Sequence, residues 1–239
     1  MIRITSLEAG ILDIPSLAIS PGRCVITGPN GSGKTTFLTV LAGIRPPETG
    51  AILIDGKNPA DCTIGWVGEY PERNILFTRV FDEIASPLRF SGENTDTTRD
   101  LVEETAASLK ISSLLLRETR SLSGGEKVLV SFATALIKKP DLLLLDETDS
   151  HLDEEFCRRI DGIMQRFHVR YVLFSSHQPV RMATADEIIS LEKGEVVRIC
   201  GINACPPRKE HLSDPGFWRK VLQSQGYPDR RPSEDARIT

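Results

Sequence analysis

The sequence predicts an α/β fold with a mostly parallel central sheet. Short segments that are apolar at every position, such as 142–145 and 171–175, are separated by segments with helical periodicity. Near the start of the chain, a glycine-rich loop lies between a predicted strand and a predicted helix. Uniformly apolar strands indicate a sheet covered on both faces by helices. With 239 residues, the chain is long enough for one large domain, or one domain with a subdomain.

The first part of the chain alternates β-type runs with tight turns. Strands are predicted at 2–4, 11–17, 23–27 and 51–54, separated by Pro-Gly and Asp-Gly pairs. A helix is predicted at 35–42, where Gly43 supplies a C-terminal cap. The chain is therefore expected to run strand, glycine-rich loop, helix.

The middle of the chain, from about residue 69 to 125, has a helical pattern. A helix over the segment 98–110 would place on one face Leu101, Val102, Thr105, Ala106 and Leu109. We expect a helical subdomain inserted into the α/β domain.

The second half returns to alternating elements. Helices are predicted at 124–138 and 154–167, and strands at 142–145, 171–175, 187–191 and 196–199. After residue 199 a short helix is predicted at 217–225, followed by a tail rich in proline and charge. We therefore expect one domain over 1–199 and a partly disordered extension over 200–239.

Composition excludes several classes of protein. The formal net charge is −4 and the basic residues are scattered, so nucleic acid is not expected as a partner. Five cysteines form no paired framework, the first residues lack a secretion-signal pattern, and Cys200 and Cys205 have no second ligand pair for zinc. No apolar stretch approaches the roughly 20 residues of a membrane span. A cytoplasmic protein is expected, whose membrane role would depend on a partner.

A complete phosphate-binding motif, GxxxxGK[ST], begins at residue 28. Its glycines let backbone N–H groups turn toward phosphate oxygens, Lys34 reaches the β- and γ-phosphates, and the Thr35 hydroxyl is available to Mg²⁺. The predicted nucleotide-binding residues are Gly28, Pro29, Asn30, Gly31, Ser32, Gly33, Lys34, Thr35 and Thr36. The loop by itself indicates only a nucleotide, because GTPases, kinases and helicases share it.

Two carboxylates, Asp146 and Glu147, follow the apolar strand 142–145. At the carboxyl end of a parallel strand, Asp146 is placed to hold Mg²⁺ through its water shell, and Glu147 to polarise an attacking water. A strand followed by an acidic helix cap would give the same pattern. This pair alone therefore leaves both interpretations open.

The segment 122–126, LSGGE, resembles the signature of ABC ATPases and lies upstream of the acidic pair. The segment 150–153 resembles the D-loop of that family, and His177 its switch histidine. The resemblance covers residues 1 to about 199 and implies a P-loop NTPase (RecA-like) core with an N-terminal antiparallel β-subdomain. It also implies a catalytic role for Glu147 and His177. The residues expected to close over the ATP of a second subunit are Ser123, Gly124, Gly125 and Glu126.

The resemblance implies the ATP-hydrolysing subunit of an ABC transporter, with ATP and Mg²⁺ as cofactors. The expected partners are a second ABC ATPase subunit and a transmembrane subunit at the inner face of the cell membrane. Segment 66–72, with Phe77, Val80 and the pair Glu83-Ile84, is most similar to energy-coupling-factor importers of vitamins and metal ions. Segments 122–127 and 146–153 also resemble the soluble Suf ATPase of iron–sulfur cluster assembly, which remains the alternative.

The sequence departs from the family pattern at two places. Glu69 stands where the family has a glutamine that senses Mg²⁺ and the attacking water, so a carboxylate adds negative charge beside the triphosphate. The family also places an aromatic residue before the phosphate loop to stack on adenine, yet no aromatic residue precedes Phe37. We therefore expect Glu69 to be a third candidate Mg²⁺ ligand beside Thr35 and Asp146, and we expect similar affinities for ATP and GTP.

Overall fold

The computed structural model describes residues 1–70, 73–148, 160, 162–164, 167–176, 182 and 184–201. The described strands are β1 (Ile2–Ala9), β2 (Leu12–Ile19), β3 (Gly22–Thr27), β4 (Thr49–Ile54), β5 (Ile64–Val67), β6 (Leu142–Leu145), β7 (Tyr171–Ser175), β8 (Glu187–Glu192) and β9 (Glu195–Gly201). The described helices are α1 (Lys34–Leu41), α2 (Val80–Phe90), α3 (Thr95–Ser108) and α4 (Gly124–Leu136), with short 3₁₀ turns at Pro59–Asp61, Ser112–Leu114 and Thr119–Ser121.

A three-stranded antiparallel sheet with the order β2-β1-β4 forms the N-terminal part of the molecule. β1 and β2 form a hairpin in which Ile2 pairs with Ile19 and Ala9 pairs with Leu12. Both strands alternate buried and exposed side chains, which is the pattern of a sheet with one face toward the core. This sheet confirms the predicted antiparallel β-subdomain.

A six-stranded sheet with the order β5-β6-β7-β3-β8-β9 forms the centre. All its neighbouring strands are parallel except the pair β8 and β9, which is antiparallel. The predicted mostly parallel α/β fold is therefore confirmed. Because β5, β6, β7 and β3 run in one direction, the residues that follow them meet at one edge of the sheet.

The parallel sheet separates two hydrophobic cores. Leu143 and Leu145 of β6 pack into the core shared with α2, α3 and α4. Leu142 and Leu144 of the same strand pack into the core shared with α1 and the antiparallel sheet. Alternate side chains of a strand point to opposite faces, so a strand buried on both faces is apolar throughout.

The predicted elements that fall on described residues are present with shifted bounds, and one described strand was missed. Helix 98–110 is found at Thr95–Ser108, and strand 2–4 extends to Ala9. The missed strand is β5, which pairs with β6 along Ile64–Val67. The predicted helices 154–167 and 217–225 lie wholly or mostly outside the described residues, so the division of the chain at residue 199 stays a prediction. Among the described helices, none is long and apolar enough to cross a membrane.

Candidate functional site

The glycine-rich loop connects β3 to α1 and needs glycine at both of its ends. A Cβ on Gly28 would lie 2.1 Å from the carbonyl oxygen of Leu191, and Gly28 has a φ of +148°. Gly33 has a φ of 103° in the left-handed region and precedes the first helical residue, Lys34. The first N–H groups of α1 have no acceptor within the helix, so they are donors for an anion at the loop.

The Lys34 side chain lies across this loop and is only 5% exposed. Its Nζ atom donates to the carbonyl oxygens of Gly28 at 3.0 Å and Pro29 at 3.3 Å. The same atom lies 3.6 Å from Oε1 of Glu147. The structure therefore brings the predicted phosphate-binding lysine and the predicted general base to one place.

Asp146 follows β6 directly and its carboxylate is buried. The Ser175 hydroxyl, at the end of the neighbouring strand β7, donates to Oδ1 of Asp146 at 2.7 Å. Burial raises the pKa of Asp146, and the negative charges of Glu147 and Glu69 act in the same direction. Hydrogen bonds from Ser175 and Thr35 act against that rise in pKa by favouring the ionised carboxylate. Thr35 of the phosphate loop and Asp146 are thus in contact, as the predicted Mg²⁺ site requires.

Glu147 adopts an uncommon backbone conformation, with a φ of +46°. Its N–H donates to the Ser175 hydroxyl oxygen at 2.8 Å, which fixes the chain at this turn. A non-glycine residue in the left-handed region carries backbone strain, and such residues cluster at functional sites. In this backbone conformation, the Glu147 carboxylate lies near Lys34.

Glu69, which follows β5, lies close enough to Asp146 to affect its pKa. The Tyr70 hydroxyl donates to the Glu69 carboxylate, and this hydrogen bond raises the pKa of Tyr70. The guanidinium carbon of Arg73 lies 4.3 Å from the centroid of the Tyr70 ring. The unusual carboxylate at position 69 is therefore held by its neighbour and contributes negative charge to the site.

The oxygen atoms of Thr35, Asp146 and Glu69 are the hard donors that Mg²⁺ prefers. Within the described part of the chain, no group of three or more His, Cys, Asp or Glu side chains is arranged to hold a metal ion. Mg²⁺ usually binds through one or two protein groups, with phosphate and water oxygens completing its shell. The residues present fit Mg²⁺ carried by a nucleotide triphosphate.

The signature segment begins α4. The Ser123 hydroxyl accepts the N–H of Glu126 at 3.3 Å, and the Glu126 carboxylate accepts the N–H of Ser123 at 2.7 Å, which together form a capping box. The hydrogen bond from the Ser123 backbone lowers the pKa of Glu126. Ser123 and Gly124 are exposed, and a Cβ on Gly124 would meet no atom within 4 Å.

Arg117 holds the signature segment from the side. Its Nη1 atom donates to Oε1 of Glu126 at 2.8 Å, and its Nη2 atom donates to the carbonyl oxygen of Ser121 at 2.8 Å. The signature residues therefore have local contacts and an open face. Contact with the nucleotide of a second subunit stays a prediction.

The structure brings together six of the residues that share the proposed chemistry: Gly28, Lys34, Thr35, Glu69, Asp146 and Glu147. His177 and the D-loop segment 150–153 lie outside the described residues. Sequence reasoning missed Ser175, which joins Asp146 and Glu147, and Tyr70, which holds Glu69. The available signal for Ser175 was a small hydroxyl residue at the end of the strand beside β6.

A glycine-rich loop at a helix start, a lysine across that loop, and two carboxylates at the same edge of a parallel sheet define a P-loop nucleotide hydrolase. The family model described as ABC transporter matches residues 12–150. The chain therefore belongs to the ABC transporter family and contains its ATP-binding, ATPase domain.

Two curated relatives illustrate the range of the family. The chain is 30% identical over 204 residues to the spermidine/putrescine import ATP-binding protein PotA of Nitrosomonas europaea, which covers 79% of this chain and 55% of that protein. It is 34% identical over 208 residues to the energy-coupling factor transporter ATP-binding protein EcfA2 of Thermotoga maritima, which covers 82% of this chain and 77% of that protein. The chain thus spans little more than half the length of the first relative.

Solved structures with the same fold include cbiO1 of Clostridium perfringens, part of an ABC transporter complex. Its TM-score is 0.75 at 22% identity, covering 94% of this chain and 91% of that one. A dimeric ATP-binding cassette in a post-hydrolysis state with ADP and Pi has a TM-score of 0.73 at 22% identity, covering 84% and 98%. These two likenesses agree with the fold described above.

Proposed function

We propose that this chain binds and hydrolyses ATP as the nucleotide-binding subunit of an ABC transporter, and that it couples dimer closure to transport through a membrane partner. The observation that carries the proposal is the meeting of Lys34, Thr35, Asp146 and Glu147 at one edge of the parallel sheet. Family membership supports ATP as the nucleotide.

The residues divide the chemistry between them. The loop N–H groups and Lys34 bind and neutralise the phosphates, which places the γ-phosphoryl group beside Glu147. Thr35 and Asp146, with Glu69 as a further candidate, would hold Mg²⁺, which supplies charge neutralisation at the phosphate oxygens when bound. Glu147 accepts a hydrogen bond from water and orients that water for attack in line with the bond to the leaving ADP. His177, as the switch residue, would contact the γ-phosphate.

Two subunits would act together. In the proposed dimer, the exposed face of Ser123 and Gly124 closes over the nucleotide held by the other subunit. Hydroxyl and backbone donors at a helix start suit a triphosphate anion. The dimeric cassette with ADP and Pi shares this fold and supports the arrangement by likeness. ATP binding would favour the closed dimer, and hydrolysis would reopen it.

An apolar surface on the helical subdomain is the proposed contact with the membrane partner. We define this docking patch as Leu76, Phe77, Phe90 and Leu116. Leu76, Phe90 and Leu116 are 75%, 76% and 86% exposed, and the rings of Phe77 and Phe90 lie 6.3 Å apart. Large apolar side chains this exposed are typical of a protein–protein interaction site where they form a contiguous surface, as the rings of Phe77 and Phe90 do here.

The docking patch is held in place by a buried carboxylate. The N–H groups of Leu76 and Phe77 both donate to Oε2 of Glu83 at 2.8 Å, and Glu83 is 5% exposed. The Thr119 hydroxyl donates to the carbonyl oxygen of Phe77 at 2.8 Å. Leu76 and Phe77 of the docking patch follow Glu69 closely in the sequence, so we expect movement of the patch to be passed to the nucleotide site through this segment.

The proposed direction of transport is uptake, and the proposed cargo is a vitamin or a metal ion. Likeness to the energy-coupling factor protein EcfA2 supports this narrower proposal. A relative named for polyamine import is similar to a comparable degree, so the cargo would be selected by the membrane partner. The chain would then work in the cytoplasm, against the inner face of the cell membrane.

Affinity purification from gently solubilised membranes tests the membrane coupling. We expect the tagged chain to recover a multi-span membrane protein together with a second ABC ATPase subunit. A double variant, Leu76→Glu with Phe90→Glu, should lose the membrane protein but retain ATPase activity. Val197→Glu is the matched control, because Val197 is 55% exposed on β9, at the sheet edge opposite β5. Recovery of cluster-assembly scaffold proteins in place of a membrane protein would contradict transport and support the Suf-like alternative.

A further inference from the structure

The hairpin between β1 and β2 lies against the start of α1. Ala9 pairs with Leu12, so Gly10 and Ile11 form the turn between the two strands. A Cβ on Gly33 would lie 2.8 Å from Cδ2 of Leu12 and 3.2 Å from Cγ2 of Ile11. Ile11 is nevertheless 49% exposed. The turn therefore borders the phosphate loop and leaves an apolar side chain at its rim.

The guanidinium group of Arg45 fills the space above Gly10. A Cβ on Gly10 would lie 2.9 Å from Nη2 and 3.1 Å from Nη1 of Arg45. Any side chain at position 10 would therefore project into the volume that this guanidinium occupies. Arg45 follows the end of α1, where its N–H donates to the carbonyl oxygen of Thr39.

Glu48 links the Arg45 side chain to the hairpin through an exposed ion pair. Oε1 of Glu48 lies 3.6 Å from Nη2 of Arg45 and accepts the N–H of Gly10 at 2.9 Å. The N–H of Glu48 donates to the carbonyl oxygen of Glu8 at 2.7 Å. The Arg45 side chain remains 46% exposed, so the guanidinium is positioned and still accessible.

Ile11 and Arg45 border the phosphate loop through Gly33 and Gly10. Lys34 and Glu147 mark the γ-phosphate end of the proposed nucleotide. The nucleoside of such a ligand would leave the loop at the other end of its phosphate chain. At the rim of the loop, Ile11 provides an apolar surface and Arg45 provides a planar cation. Groups of these two kinds contact the face of a nucleotide base.

We propose that Arg45 contacts the purine base of the bound nucleotide, and that this guanidinium replaces the aromatic side chain absent before the phosphate loop. A guanidinium attracts the π face of adenine and guanine alike. The contact therefore adds affinity without selecting between the two purines. This inference rests on the proposed nucleotide site.

Binding measurements with and without a base test the proposal. Isothermal titration calorimetry would compare the non-hydrolysable analogues AMP-PNP and GMP-PNP with inorganic tripolyphosphate, all with Mg²⁺. We expect Arg45→Ala to raise Kd for both analogues about two- to five-fold, the range of a half-exposed cation–π contact. Kd for tripolyphosphate should not change. Arg45→Lys keeps the charge but loses the planar group, so it should lose most of the same affinity.

A matched control is Arg99→Ala, which removes a 58% exposed arginine on α3 that also pairs with an acidic residue three positions away. It should change none of the three Kd values, and thermal unfolding should show that all variants fold. Equal weakening of tripolyphosphate by Arg45→Ala, restored by Arg45→Lys, would show a charge effect on the phosphates and overturn the proposal. Unchanged binding of both analogues would overturn it as well. A wild-type chain that fails to bind tripolyphosphate would instead contradict the phosphate site, and this proposal with it.

Discussion

Replacing Ser175 with alanine removes the hydroxyl that joins the two acidic residues of the site. Ser175 is 2% exposed, and its Oγ atom donates to Asp146 at 2.7 Å and accepts the N–H of Glu147 at 2.8 Å. After the change, a buried carboxylate and a neighbouring N–H each lack one partner. The Ser175→Ala variant therefore perturbs stability and catalysis through one atom.

The expected loss of stability follows from the two hydrogen bonds. A hydrogen bond to a charged group contributes about 1.5–3 kcal/mol, and a neutral one about 0.5–1.5 kcal/mol. We expect Ser175→Ala to lower the free energy of unfolding by about 2–4 kcal/mol. In a protein of this size, each kcal/mol lowers Tm by about 2–4 °C.

The activity of Ser175→Ala should change with pH in a defined direction. The bond from Ser175 acts against the rise in the pKa of Asp146 that burial causes. Without that bond, the pKa of Asp146 rises further, so the carboxylate is protonated at higher pH and binds Mg²⁺ less well. The acid limb of the ATPase pH profile should move to higher pH. The stability deficit should shrink as pH falls from neutral through the raised pKa, because the protonated carboxyl no longer needs the donor.

Urea unfolding and steady-state ATPase assays between pH 5 and 8 would measure both effects. Ser86→Ala is the matched control, since Ser86 is also buried, at 5% exposed, but donates to the neutral carbonyl oxygen of Glu83 at 2.8 Å. The reasoning is refuted if Ser175→Ala loses no more stability than Ser86→Ala and keeps the wild-type acid limb.

Three further outcomes are expected. Glu147→Gln should lower the hydrolysis rate by about 10²-fold or more. ATP binding should persist, and a dimer should accumulate in size-exclusion chromatography. Undiminished hydrolysis would show that Glu147 is not the general base. Glu69→Gln takes one negative charge away from Asp146 and should raise the ATPase rate and change its Mg²⁺ dependence, so identical kinetics would show that the carboxylate has no effect. Arg117→Ala removes the hydrogen bonds from Arg117 to Glu126 and Ser121. In the Glu147→Gln background, this change should weaken ATP-dependent dimer formation while ATP binding stays unchanged. A dimer yield equal to that of Glu147→Gln alone would contradict this expectation.

The sequence predicts those parts of the fold that depend on the apolar pattern within a single element. The strands β6 and β7 are apolar at every position, and this alone predicts burial between two layers. The extension of β1 to Ala9 was missed because Ser6, with a φ of +49°, interrupts the alternation at an irregularity in the pairing with β4. Gly50 lies opposite, where a Cβ would be 2.2 Å from the carbonyl oxygen of Ser6. This match between two distant residues appears only in the folded chain.

The site was predictable to the extent that its motifs are contiguous. Residues 28–36 and the pair Asp146 and Glu147 carry their chemistry in the sequence itself. Ser175, by contrast, acquires its role only because β6 and β7 pair in parallel, with Leu145 beside Phe174. The strand β5, which places Glu69, is four residues long and contains a glycine, so its pattern alone is weak. Partners supplied by neighbouring strands depend on strand order, which the sequence does not state.

The position of Arg45 gives α1 a second role, as a spacer of fixed length. The helix has eight residues and rises about 1.5 Å per residue, so its two ends are about 12 Å apart. Lys34 stands at the first of these ends and Arg45 follows the second. The Arg45 side chain runs back to the hairpin turn beside the phosphate loop, where its guanidinium lies over Gly10. The length of α1 thus decides whether this cation can reach the hairpin, because one added turn would move the Arg45 backbone about 5.4 Å further from Lys34.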